Sequence, residues 1–162
     1  MRNCRIHDNL ADGIYLEKVA AAPRLENLVV ADNGGAGIVQ GLATMSPVYR
    51  NLTLRRNGTD AVAVTWGWVD QDTTWGAADM GAPFQMNTHL NIPTGRILTL
   101  SPGTTVRFVT GTVAYVNGAL YALATATAPI TLTAAVDQPG VWGGVQVAPG
   151  ATVLFDLSLI HI

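Results

Sequence analysis

Apolar residues in the first third of the chain recur two apart, and the pairs themselves recur at a fixed distance. Three equally spaced segments align without gaps: NCRIHDNLADGIYL from Asn3, NLVVADNGGAGIVQ from Asn27 and NLTLRRNGTDAVAV from Asn51. Within them Cys4/Ile6, Leu28/Val30 and Leu52/Leu54 each put two apolar side chains on one face of a short strand. A second asparagine follows at Asn9, Asn33 and Asn57, and then Gly13-Ile14, Gly37-Ile38 and Ala61-Val62. Pro23 and Pro47 hold the same phase, as do Met1, Leu25 and Tyr49. Each unit reads as strand, Asn-containing turn, strand and longer return. One unit cannot bury its inward face, whereas stacked units share a continuous core. The pattern therefore predicts an all-β parallel β-helix with coils of about 24 residues, neighbouring coils lying about 4.8 Å apart.

With its N-x-x-I/V/L-x-x-N…G-I columns, the segment from about residue 2 to 65 resembles the right-handed parallel β-helix superfamily known from pectate-lyase-like proteins. The resemblance implies that Asn9, Asn33 and Asn57 form an asparagine ladder. Side-chain amides both donate and accept, so stacked amides can satisfy one another and the turn backbone. It also implies a secreted or cell-surface protein, of bacterial type, in which the solenoid is a rigid structural or adhesive element. Members that cleave acidic polysaccharides use carboxylates on the β-helix surface, which sets the alternative: a fragment of a polysaccharide lyase or glycoside hydrolase with catalytic coils largely outside this chain.

Beyond residue 65 the character changes. Residues 1–65 carry 13 charges and the rest of the chain only 7, whereas Trp66, Trp68, Trp75 and Trp142 all lie in the second part. Residues 97–108, ILTLSPGTTVRF, return as GVQVAPGATVLF at 144–155. That offset of 47 predicts two further coils of about 24 residues each. Residues 66–96 have no clear period and read as a connecting segment or an irregular coil. The expected division is three β-helix coils over 1–65, an irregular connecting segment over 66–96 and further coils over 97–156. LSLIHI, Leu157–Ile162, matches the translation of a transposon sequencing adapter and is expected to be an adapter-derived scar. Met1 falls inside the repeat column of Leu25 and Tyr49, so the chain reads as a fragment, and its start has no signal-peptide pattern.

Composition narrows the chemistry. With a net charge of −2, nothing draws the chain to nucleic acid, and no run of about 18 apolar residues implies membrane insertion. Cys4 is the single cysteine, and its column, shared with Leu28 and Leu52, predicts an inward core residue. Gly35-Ala36-Gly37 fails as a dinucleotide fingerprint because Gln40 stands where the third glycine belongs. Asp8 and Asp32 share a column about one coil apart, a spacing that would suit a calcium ion or the carboxylate pair of a retaining glycosidase, although the third coil has Arg56 there. Asp12 and Asp60 share another turn column. Asp70, Asp72 and Asp79 do not make an EF-hand, since Trp75 and Gly81 occupy its glycine and glutamate positions. The serines Ser46, Ser101 and Ser158 lie in no nucleophile motif, and no catalytic residue is assigned. Trp66, Trp68 and Trp75, with Tyr15 and the outward Arg5 and His7, are the candidate surface for a polysaccharide, because sugar rings stack on exposed aromatic faces.

Overall fold

A computed structural model describes residues 1–17, 22–76 and 79–160, and among these none is helical. Among the described residues seventeen strands form four sheets in which every paired neighbour is parallel. Sheet I holds β1 (Arg2–His7), β3 (Arg24–Ala31) and β5 (Val48–Arg55). Sheet II runs the length of the molecule through β2 (Ile14–Leu16), β4 (Ala36–Gln40), β6 (Thr59–Val64), β8 (Phe84–Met86), β11 (Thr105–Phe108), β14 (Ile130–Ala134) and β17 (Ser158–Ile160). Sheet III comprises β7 (Thr73–Trp75), β10 (Ile97–Leu100), β13 (Ala119–Leu123) and β16 (Thr152–Asp156). Sheet IV comprises β9 (Leu90–Ile92), β12 (Ala114–Val116) and β15 (Val145–Val147). The chain is a parallel β-solenoid of about six turns. Of the suspected scar, Ser158–Ile160 pairs with β14 as the last strand of sheet II, and His161 and Ile162 lie outside the described residues.

Inward side chains stack column on column. In sheet II the register runs Ile14, Ile38, Val62, Phe84, Val106 and Leu132, all buried. Positions along this column advance evenly as far as Val62, then by two fewer per coil to Val106, and by a longer step to Leu132. Residues 66–96, expected as a connecting segment or an irregular coil, carry β7, β8 and β9 and form a coil of the same stack. Their period is hidden for two reasons. The coil has three short strands where the earlier ones have two, and its step along sheet II, from Val62 to Phe84, is the first of the shorter ones.

The recurrence of the Pro-Gly motif also has another meaning. Pro102-Gly103 joins sheet III to sheet II, whereas Pro149-Gly150 joins sheet IV to sheet III. Val106 pairs with Leu132 and Val153 with Leu120, so the two motifs occupy different corners. Each is a tight turn, closed by Thr104 N–H to Ser101 O (3.2 Å) and Ala151 N–H to Ala148 O (3.1 Å), with glycine φ of 80° and 82°. Proline before a positive-φ glycine is the chemistry of such a turn wherever it falls, so the motif marks a corner and does not count coils.

The asparagine ladder is present. Asn33 Oδ1 accepts from both the backbone N (3.1 Å) and Nδ2 (2.8 Å) of Asn9, and Asn57 Oδ1 accepts likewise from Asn33 (3.2 and 2.8 Å). The ladder ends on a carboxylate: Asp60 Oδ1 takes the backbone N (2.9 Å) and Nδ2 (2.8 Å) of Asn57, as a fourth asparagine would. A second ladder lies outside. Asn27 Nδ2 donates to Asn3 Oδ1 and Asn51 Nδ2 to Asn27 Oδ1, both at 3.0 Å. These three asparagines have φ of 54°, 54° and 48°, a left-handed conformation that asparagine tolerates. The bend they make turns both Leu25 and Leu28 inward, although an alternating strand would point them to opposite faces.

Cys4 departs from expectation. It pairs with Leu28 in the inward column, yet it is exposed, with its thiol 3.1 Å from Arg2 O. Leu28 covers it from one side only, whereas Leu28 itself has neighbours on both.

The return leg at 41–47 is tied to the core by polar groups. Buried Gln40 donates to the carbonyls of Leu42 (3.0 Å) and Met45 (3.2 Å) and accepts from the Tyr49 hydroxyl (3.0 Å). Burial pushes the Tyr49 phenol far up, so it remains a donor. Thr73 Oγ1 and Trp75 Nε1 then donate to Thr44 O and Ala43 O, both at 2.8 Å, joining β7 to that leg.

Candidate functional site

The tryptophans divide into two pairs. Trp75 is buried in the core, stacked on Phe84 with ring centroids 4.9 Å apart. Trp142 is buried likewise, stacked on Phe108 at 4.3 Å. Trp75 therefore leaves the candidate surface, because its indole faces inward from a strand whose alternate residue, Thr74, is the exposed one. Trp66 and Trp68 are 62% and 48% exposed. Tyr15 is exposed too, but it stands at the first rung of sheet II, on another face from the tryptophans.

Register places partners beside Trp68 that the sequence did not suggest. Trp68 bridges to Asn91, which pairs with Tyr115, which pairs with Gln146. The strand alternation turns this row outward: Asn91 lies between buried Leu90 and Ile92, and Tyr115 between buried Ala114 and Val116. Parallel neighbours sit about 4.8 Å apart, so the outer face of sheet IV carries indole, amide, phenol and amide at successive rungs. His89 packs edge-on to Tyr115, ring centroids 5.4 Å apart. Its Nδ1 accepts the Val113 backbone N–H (3.1 Å), which leaves Nε2 to carry the proton of the neutral ring. Tyr115, Asn117, Gln146 and Ala148 line a shallow groove along the same face. The signal for Tyr115 was the alternation Ala-Tyr-Val; its alignment with Trp68 depended on a register that no sequence period reveals.

The carboxylate pair behaves differently. Both oxygens of Asp32 are taken by Arg56, from Nε at 2.5 Å and Nη2 at 2.8 Å, while Asp8 meets His7 Nδ1 at 2.5 Å. Asp12 accepts the Ala36 N–H (2.7 Å), and Asp60 serves the ladder. Among the described residues no group of three or more His, Cys, Asp or Glu side chains is placed to hold a metal ion.

The hydrogen bonds from Arg56 hold the Asp32 carboxyl below the usual carboxylate range. A group lowered in the folded state stabilises it above the unfolded value, and that contribution is lost as pH falls through the folded value. Asp32→Asn is expected to flatten the fall of Tm with pH below about pH 4, relative to wild type. Parallel acid limbs for the two proteins would show that the pair contributes nothing to folding.

Compared with known proteins, the chain matches no family model, no curated sequence and no solved structure.

Proposed function

We propose that this chain is a structural or adhesive segment of a secreted or cell-surface right-handed β-helix protein, and that the outer face of sheet IV contacts polysaccharide. The observation that carries the reading is the exposure of Trp66 and Trp68 on the flank of a stack that aligns Trp68 with Tyr115. Exposed indoles on a hydrogen-bonded solenoid lose little conformational freedom on binding, and their faces suit the C–H faces of sugar rings. The asparagine ladders and continuous core fit the structural half of the role, since they make a stiff scaffold.

Affinity electrophoresis through gels containing individual polysaccharides tests it. Retardation by at least one polysaccharide is expected, with its loss in the Trp66→Ala/Trp68→Ala double variant and no release of new reducing ends or unsaturated products. Free migration in every gel would overturn the reading. Release of products would replace it with a fragment of a lyase or hydrolase.

A further inference from the structure

The residues on the outer face of sheet IV alternate in kind: Trp68, Asn91, Tyr115, Gln146. Aromatic rings therefore recur at every second rung, about 10 Å apart, and an amide stands beside each. None of the four carries a charge. In an extended β-1,4-linked pyranose chain consecutive rings are turned over relative to one another, so the same ring face recurs at every second sugar. Two such sugars span close to the length of two solenoid rungs. A chain laid across the strands, along the solenoid axis, would place one sugar on Trp68 and the next but one on Tyr115. The sugar between them would meet Asn91, and the following one Gln146, whose amides can both donate to and accept from hydroxyls. An α-linked chain curves away from such a straight row. A polyuronate would bring carboxylates to a row that offers no cation. The His89 ring packed edge-on to Tyr115 limits the rotation of that platform, so stacking costs little side-chain entropy.

We infer that this row is a subsite for a neutral, extended β-linked glycan of at least three sugars, with Trp68 and Tyr115 as its two stacking platforms; this rests on the glycan reading above and names the class of ligand.

Calorimetric titration of the full chain with cellohexaose, xylohexaose, maltohexaose and an oligogalacturonate separates the possibilities. Binding to one or both neutral β-linked hexasaccharides is expected. Trp68→Ala and Tyr115→Ala should each weaken it about tenfold, the loss of one stacking contact. The affinity should be unchanged when salt is raised to about 1 M, because no ion pair is involved. Thermal melts guard against misfolding, and where Tyr115→Ala melts early, Tyr115→Gln and Trp68→Ala carry the test. Binding only to maltohexaose or to the oligogalacturonate would overturn this inference and leave the glycan reading standing. So would β-glycan binding that survives both substitutions. Absence of binding to all four, together with free migration in the polysaccharide gels, would overturn both.

Discussion

Trp75→Ala is expected to lower Tm by about 6–20 °C, while Trp68→Ala leaves it within about 2 °C of wild type. Trp75 is 1% exposed and stacks on Phe84, so its truncation opens a cavity in the core beside Phe84 and leaves Ala43 O without its indole donor. Truncations of this kind cost about 3–5 kcal/mol, and each kcal/mol is about 2–4 °C in a chain of this size. Trp68 is half exposed, and replacing it removes no buried contact of that scale. Trp75→Phe would keep a ring against Phe84 but lose the hydrogen bond and part of the indole's volume, an intermediate cost of about 2–3 kcal/mol. Differential scanning calorimetry decides the matter. Equal shifts for Trp75→Ala and Trp68→Ala would mean that Trp75 is not a core residue.

The second large effect belongs to the ladder. Asn33→Leu is expected to cost about 3–4 kcal/mol, against about 1 kcal/mol for Asn9→Leu. Asn33 is 3% exposed and its amide is bonded to rungs on both sides, through three hydrogen bonds. Leucine there leaves the Asn9 backbone N–H and Asn57 Oδ1 short of a partner in a partly buried corner, and it is the unmade bond that is expensive. Asn9 is exposed and reaches a neighbour on one side only. Thermal or urea melts of the two variants give the comparison, and equal shifts would refute a cooperative ladder.

Much of the first three coils was legible because each structural need repeats at the same step along the chain. Leu28 and Leu52 face inward for the same reason, and Asn9, Asn33 and Asn57 meet because identical corners stack. Even there, one property belongs to stacking alone. Cys4 has the correct column and the wrong burial: only Leu28 pairs with it, and its thiol turns to Arg2 O. The outer ladder of Asn3, Asn27 and Asn51 was visible as a column, but its bonds depend on a left-handed backbone that the column does not state.

By itself, then, the sequence determined the solenoid: a strict period of inward apolar pairs with asparagine corners has one economical way to bury its face. Where the coil shortens after Val62 and lengthens after Val106, only the tertiary structure decided which side chains share a column. It put Trp75 inside and Trp68 outside, moved the Pro-Gly motifs to different corners and drew Trp68, Asn91, Tyr115 and Gln146 into one row. The physical reason is that alternation along a strand tells in from out, whereas lateral alignment is set by hydrogen-bond register between coils, and variable turns hide that register from any linear reading.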